Sequence, residues 1–264
     1  MSIIFISGNH PRHKYIAKCL EETGMLKAWV IEQRESFVPE PPVGLNKDLK
    51  RVFSRHFKLR EEVENNFFTN TPSNINIPFL EVSRQELNSD QTIKFIKNYD
   101  PRLVISYGCH KLSENFMTEI GARFWNSHGG LSPDYRGVTT HFWPSYFLEP
   151  QMTGITLHET TNFLDGGSII FQSAAEMVSG DTLHMLAARN VLHYGAEIKQ
   201  KLVKLDLSDI PRGKVQKKYG KVWMESDWRP EHLHLIYNIY EDSIVDMLLR
   251  GEITGRKPNL ISEI

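Results

Sequence analysis

Residues 123–137 read RFWNSHGGLSPDYRG, a short apolar strand that ends in polar residues and glycines. Asn126 and His128 are two positions apart, so at a strand end both side chains point to the same face. The Asn amide can donate to a developing oxyanion, and the His ring can exchange a proton near pH 7. Asp165 follows in LDGG and could orient that ring. These three side chains indicate acyl transfer to an amine.

Short apolar strands alternate with amphipathic helices on both sides of this stretch. The predicted strands are residues 3–7, 28–31, 77–82, 103–106, 123–126, 154–159 and 168–173. One predicted helix begins at Pro11, and the others cover residues 91–98, 114–120, 140–148 and 181–202. Asp181 and Thr182 are suited to cap the last of them. This alternation favours an α/β open sheet.

Two segments depart from the alternation. The charged stretch 47–68 predicts a helical insertion, and the tail predicts a β-hairpin in VQKKYGKVWM around Tyr219 and Gly220, followed by a helix at 231–249. We therefore divide the chain into a main domain, 1–205, and an extension, 206–264. Basic residues of the insertion favour a solvated helix face, with contact to a phosphate as the alternative; they are Lys50, Arg51, Arg55, His56, Lys58 and Arg60.

Composition narrows the class of protein. The net charge is −1, so no overall field attracts polyanions, and nucleic acid is not expected as a partner. Cys19 and Cys109 form no CxxC motif, which fits a reducing compartment. No apolar stretch reaches the roughly 20 residues that span a bilayer, and the first residues do not resemble a signal peptide. We expect a cytoplasmic chain with no membrane partner.

In an open α/β sheet, ligands bind at the carboxyl ends of the strands. Gly8, Tyr107-Gly108, Asn126-His128 and the loop to Asp165 follow four predicted strands, and their convergence indicates one site. Any one of these segments alone would more often be an ordinary turn, or a histidine whose hydrogen bonds are made within the fold. The loop GNHPRHK lacks GxGxxG and GxxxxGK[ST]. It could still bind a phosphate at a helix N-terminus beside Arg12, His13 or Lys14, or form a solvated basic turn.

Other candidate chemistries have little support. No metal site is expected, because His232 and His234 diverge on the predicted helix and His158 is not part of an HExxH motif. Cys109 lacks the surroundings of a nucleophile, and no GxSxG motif is present. The aromatic residues Trp143, Tyr146 and Phe147 are expected in the core or in the lining of a pocket.

The chain resembles the 10-formyltetrahydrofolate-dependent formyltransferases over roughly residues 1–200. Their pattern N-x-H-x-S-L-L-P-x-Y-R-G is matched here by NSHGGLSPDYRG, with departures at Gly130 and Ser132. TGITLHETTNFLDGGSII matches the strand, loop and acid that follow in the family, with Asp165 and Gly167 at the D-x-G positions. The resemblance implies a Rossmann-like fold.

The resemblance also implies a site. 10-Formyltetrahydrofolate would be the co-substrate, with no metal, and Asn126, His128 and Asp165 would be catalytic. The residues expected to contact the folate are Tyr107, Gly108, Cys109, His110, Lys111, Leu112, Phe163 and Asp165. The residues expected to contact the acceptor are Gly8, Asn9, Arg12, Tyr135, Arg136 and Trp143.

Sugar N-formyltransferases look most similar to this chain. They act on nucleotide-linked amino sugars for lipopolysaccharide O-antigen biosynthesis and often carry a C-terminal hairpin in a homodimer contact, so a homodimer is expected. Methionyl-tRNA formyltransferases carry a longer tail and a basic face, folate hydrolases carry a further N-terminal domain, and glycinamide ribonucleotide enzymes carry a glycine-rich phosphate loop. Glycinamide ribonucleotide and methionyl-tRNA remain alternative acceptors. A folate-binding protein without turnover is the alternative of another class.

Overall fold

A computed structural model describes residues 2–71, 74–217 and 220–264. Its strands are β1 Ser2–Gly8, β2 Leu26–Glu32, β3 Phe79–Val82, β4 Pro101–Tyr107, β5 Arg123–His128, β6 Arg136–Gly137, β7 Ile155–Glu159, β8 Ile169–Ser173 and β9 Val222–Trp223. Its α-helices are α1 Pro11–Glu21, α2 Lys47–Phe68, α3 Asp90–Lys97, α4 Glu114–Ile120, α5 Trp143–Tyr146, α6 Leu183–Val203 and α7 Ile244–Leu249.

The main sheet has the order β3-β2-β1-β4-β5-β7-β8. The first five strands of that order are parallel, and β7 and β8 pair antiparallel to their neighbours. The strand order reverses direction between β1 and β4, which is where ligands of open α/β sheets bind. The predicted Rossmann-like α/β fold is therefore confirmed. The two-domain division at residues 205 and 206 stays a proposal.

Both faces of the sheet are covered, which explains why its strands read as continuous apolar runs. On one face, α1 and α6 pack through residues such as Leu20 and Ile198 against Phe5 and Ile105. The other face packs against α3 and α4. Local sequence sets the helix ends: α1 begins at Pro11, and the Thr182 side chain accepts the Met185 amide at the start of α6. The predicted elements of the main sheet are confirmed within a few residues.

The predicted C-terminal hairpin is wrong in its described part. Its turn includes Lys218 and Tyr219, which lie outside the described residues. On one side of that turn, Lys214 bridges antiparallel to Ile169. On the other side, β9 pairs in parallel with β6. The backbones of both flanks are thus hydrogen-bonded to other parts of the chain. Among the described residues, the two flanks do not pair with each other.

The helix predicted at 231–249 is interrupted. Short 3-10 and π segments, Pro230–His232 and Leu235–Ile239, precede α7. Glu241 and Asp242 have φ values of 49° and 56°, which an α-helix cannot contain. The carboxylate of Asp242 accepts the backbone N–H of Leu183 at 2.8 Å, so this break serves the N-terminus of α6.

The helix predicted at 140–148 is shorter than expected. It is reduced to α5, and Thr139 and Leu148, which flank the segment, have positive φ. Thr140 also donates its hydroxyl to the carbonyl of Gly129, which ties this segment to the loop after β5.

The insertion at 47–68 is helical as predicted, but it is not only a solvated face. Lys50, Arg51, Arg55 and Lys58 are exposed, whereas His56 and Glu64 are buried. Phe53 packs with Phe142 and Trp143 under the C-terminal segment. None of the helices in the described part of the chain is long and apolar enough to cross a bilayer.

Candidate active site

Asn126 is oriented by the neighbouring parallel strand. Ser106 on β4 lies beside Asn126 in the register of the sheet and donates its hydroxyl to Oδ1 of the Asn126 amide at 2.8 Å. This bond places Nδ2 on the other side, where it lies 3.3 Å from Nε2 of His158. Nδ2 carries two protons, so one remains available for a substrate oxygen.

His128 is buried, and both of its ring nitrogens have neighbours. Nε2 donates to the carbonyl of Tyr135 at 2.8 Å, and Nδ1 lies 3.3 Å from Oδ2 of Asp165. A carbonyl oxygen can only accept, so the proton of a neutral ring is on Nε2. Nδ1 then presents a lone pair beside the carboxylate. A Cβ on residue 130 would lie 2.7 Å from Nε2. Gly130, where the family pattern has Ser, thus leaves room for this ring.

Asp165 lies between two histidines. Its Oδ2 also accepts the N–H of Gly137 at 2.8 Å, and its Oδ1 lies 3.3 Å from Nε2 of His158. The Nδ1 of His158 lies 2.8 Å from the carbonyl of Glu159 and must donate to it. Each neutral ring therefore offers the carboxylate an unprotonated nitrogen. A proton taken up by either ring is stabilised at once by an ion pair with Asp165.

The electrostatics fit a proton acceptor. Burial lowers the pKa of His128 from its usual value, and the nearby Asp165 carboxylate opposes that effect. Burial alone would raise the pKa of Asp165, but His128 and His158 outweigh it and hold this pKa at about 2. At neutral pH the carboxylate is ionised and His128 is neutral. The pair is ready to receive one proton.

These residues open into a cavity of about 850 Å3. The three predicted catalytic residues line one part of it. The predicted folate contacts line another part; they are Tyr107, Gly108, Cys109, His110, Lys111, Leu112 and Phe163. Their loop is fastened by the buried Glu32, which accepts the backbone N–H of His110 at 2.8 Å and contacts its ring at 2.5 Å. The cavity thus joins the two predicted groups.

The predicted acceptor contacts are divided. Arg12 lines the cavity, but the other five are not among its lining residues in the described chain. Gly8 packs against the ring of His13, and Asn9 bonds to Gln33 at the surface. Tyr135 and Arg136 are buried and bond to Glu149 and to the Gly220 carbonyl. Trp143 is buried and stacks on Trp223, with 4.1 Å between ring centroids.

His158 is the main site residue that sequence reasoning missed. It lies directly opposite Asn126 in the antiparallel pair of β5 and β7. The predicted open sheet specified neither the direction nor the pairing of these two strands, so it gave no reason to bring these residues together. The antiparallel direction also means that the loop after β7 folds back to bring Asp165 to the site. The seven-residue spacing of His158 and Asp165 in HETTNFLD was the available signal. No cluster that could hold a metal ion occurs among the described residues.

The fold and the site define a class of protein. The chain belongs to the formyl transferase family, whose model matches residues 3–198. The GDP-perosamine N-formyltransferase of Brucella melitensis is 27% identical over 123 residues, which are 46% of this chain and 47% of that protein. The phosphoribosylglycinamide formyltransferase of Escherichia coli is 32% identical over 108 residues, 40% of this chain and 50% of that protein. The chain therefore spans about half the length of these relatives.

A solved structure agrees in fold. It is an N-formyltransferase from Helicobacter canadensis in complex with folinic acid and dTDP-3-aminofucose. The TM-score is 0.53 and the identity 16%, with 87% of this chain and 73% of that chain covered. The similarity supports the architecture of the sheet.

Proposed function

We propose that this chain transfers a formyl group from 10-formyltetrahydrofolate to the amine of a nucleotide-linked amino sugar. The observation that carries the proposal is the meeting of Asn126, His128 and Asp165 at one part of a large cavity. Asn126 supplies a neutral amide donor, and His128 and Asp165 form a proton-accepting pair. A folate-binding module without turnover has no need for this combination.

The reaction requires one bond to form and one to break. The neutral acceptor amine attacks the formyl carbon, and the Asn126 amide donates to the oxyanion of the tetrahedral intermediate. His128 accepts a proton from the amine on Nδ1, where Asp165 stabilises the imidazolium. The bond between the formyl carbon and N10 of the folate then breaks, and the proton passes to N10. Tetrahydrofolate and the N-formyl product are released.

The lining residues of the cavity, more than its size, support two co-substrates. Pockets for single ligands span roughly 300–1,000 Å3. The volume of about 850 Å3 lies near the upper end of that range. The loop 107–112 and Phe163 would hold the folate, and the adjoining part of the cavity, where Arg12 interacts with Tyr107 and Glu64, would hold the acceptor. A relative named for GDP-perosamine and a structural neighbour solved with dTDP-3-aminofucose favour a sugar nucleotide as acceptor.

The remaining expectations stay proposals. They are a homodimer, a role in surface polysaccharide synthesis and a cytoplasmic location. The hairpin was the reason to expect a dimer contact, and its described flanks pair within the chain instead. The expected dimer contact therefore loses the hairpin on which it was based.

A panel assay tests the proposed function. The purified chain is given 10-formyltetrahydrofolate with GDP- or dTDP-linked amino sugars, with glycinamide ribonucleotide, or with charged initiator tRNA, and tetrahydrofolate release is recorded. We expect turnover with an amino sugar nucleotide and its loss in His128→Ala. Formylation of glycinamide ribonucleotide alone would overturn the sugar proposal. Folate binding without turnover on any acceptor would favour a binding module.

A further inference from the structure

A group of polar and charged residues on α1 and α2 lines the cavity but takes no part in the proposed proton transfer at His128. His56, Arg60 and Glu64 are four residues apart along α2, so they share one face of that helix. All three line the cavity, together with Arg12 of α1. Nothing in the family pattern of residues 126–137 accounts for this face of α2.

The charges in this group do not balance. Arg12 Nη1 lies 2.7 Å from Oε1 of the buried Glu64, so the Glu64 carboxylate is already engaged in an ion pair. Arg60 is partly buried and has no ion pair with a carboxylate in the described part of the chain. Burial, and then the positive charge of Arg12, lower the pKa of Arg60 to about 10, so it remains protonated at neutral pH. Two cations thus share one anion.

Arg60 is held in a fixed position. Its Nη2 donates to the carbonyl of Phe37 at 2.6 Å. The guanidinium lies over the rings of Phe37 and Phe57, at 4.5 and 4.9 Å from their centroids. Its Nε is buried and has no hydrogen-bond partner among the described residues. A guanidinium held by stacking, with donors left over, is well suited to bind a phosphate.

His13 adds an unused donor at the N-terminus of α1. The ring is 1% exposed and lines the cavity. Its Nδ1 accepts the backbone N–H of His10 at 3.2 Å, and burial and Arg12 keep its pKa well below the usual value. The neutral ring therefore carries its proton on Nε2, which has no partner among the described residues. Gly108 makes room for this atom, since a Cβ there would collide with it.

We propose that Arg60, Arg12 and His13 bind the phosphate or diphosphate of the acceptor, between the N-terminus of α1 and the inward face of α2. The identity of the acceptor in this proposal rests on the proposed function. The anion site is inferred separately, from the charges of Arg12, Arg60 and Glu64. The N-terminal dipole of α1 favours the same negative charge. The shared cavity connects this anion site to Asn126.

The test uses inorganic pyrophosphate as the probe and calorimetry as the readout. We expect the whole chain to bind pyrophosphate, and Arg60→Gln to weaken that binding about 10- to 100-fold, as expected for charge-assisted hydrogen bonds. The matched control is Arg51→Gln on the same helix, where the side chain is 76% exposed. That variant should bind like the wild type.

A second variant, Glu64→Gln, is expected to change the affinity for pyrophosphate in the opposite direction. Glu64→Gln frees Arg12 from its carboxylate, so pyrophosphate binding should tighten, which damage to the fold would not produce. Binding by Arg60→Gln within about two-fold of the wild type, or weakening by Glu64→Gln, would overturn the anion site. The two proposals can fail separately. Arg60-dependent pyrophosphate binding without formyl transfer to any sugar nucleotide supports the anion site and overturns the proposed acceptor.

Discussion

Nδ1 of His128 lies 3.3 Å from Oδ2 of Asp165, while Nε2 of the same ring donates to the Tyr135 carbonyl. A proton that reaches this ring can settle only on Nδ1, where it forms an ion pair. The geometry thus assigns proton uptake to one atom of His128. It also gives Asp165 two tasks, since the carboxylate orients the ring and stabilises its charged form.

Asp165→Asn should change the pH dependence as well as the rate. The carboxylate raises the pKa of His128 against the effect of burial. Without it this pKa falls further, so the acid limb of kcat/KM moves to lower pH. The plateau should fall by about 100- to 10,000-fold, the usual worth of general acid–base catalysis. Asp134→Asn, on the surface and paired with Arg256, is the control. An unchanged acid limb with a normal plateau would contradict the assignment.

Asn126→Ala should lower kcat by about 100- to 1,000-fold, as the loss of one oxyanion donor does elsewhere. Ser106→Ala should cost less, because it removes only the hydroxyl that orients the amide. Steady-state kinetics with a common acceptor compare the two, and circular dichroism checks that both fold. Equal losses would mean that Ser106 acts on the substrate directly.

His158→Gln should reduce turnover less than His128→Gln at every pH. His158 faces Oδ1 of Asp165 and Nδ2 of Asn126, so it supports both groups without being the assigned proton acceptor. Its removal should also raise the pKa of Asp165, since His158 contributes to holding that pKa low. If the two variants lose the same activity, the proton route runs through His158 instead.

Mild acid should destabilise the fold. Burial lowers the pKa of His141 to about 4 and that of His184 to about 3. Both pKa values lie below the value of about 6.5 for a histidine in the unfolded chain. As the pH falls from 6.5 towards the folded-state pKa values, the unfolded state therefore binds more protons than the folded state. The free energy of unfolding should fall by about 2 kcal/mol per ring between pH 7 and 5.

Urea unfolding at the two pH values measures this loss. Burial raises the pKa of Asp242 to about 6, which acts in the opposite direction and reduces the net effect. His184→Gln should flatten the pH dependence, whereas His193→Gln, at an exposed position, should not. A free energy of unfolding that is the same at both pH values would exclude buried neutral histidines.

The sequence was most informative where the structure is local. Asn126 and His128 share one strand end, and the parallel core follows from apolar runs between helices. Partners that are distant in sequence were not predictable in this way. His158 joins the site through an antiparallel pair, and Val222–Trp223 pair with Arg136–Gly137 instead of forming a hairpin. The inward position of Arg60 was also missed, because periodicity cannot show which charged face of a helix meets a cavity.

The pairing of β9 with β6 has a consequence for protein engineering. β6 comprises Arg136 and Gly137, and the N–H of Gly137 is the one that Asp165 accepts. Gly137 has a φ of 95°, and a Cβ there would collide with the backbone of Trp223. The tail is therefore not an exchangeable module. A chimera that took its C-terminal segment from a relative would need to supply a strand with the same register, or it would lose the hydrogen bond that aligns Asp165.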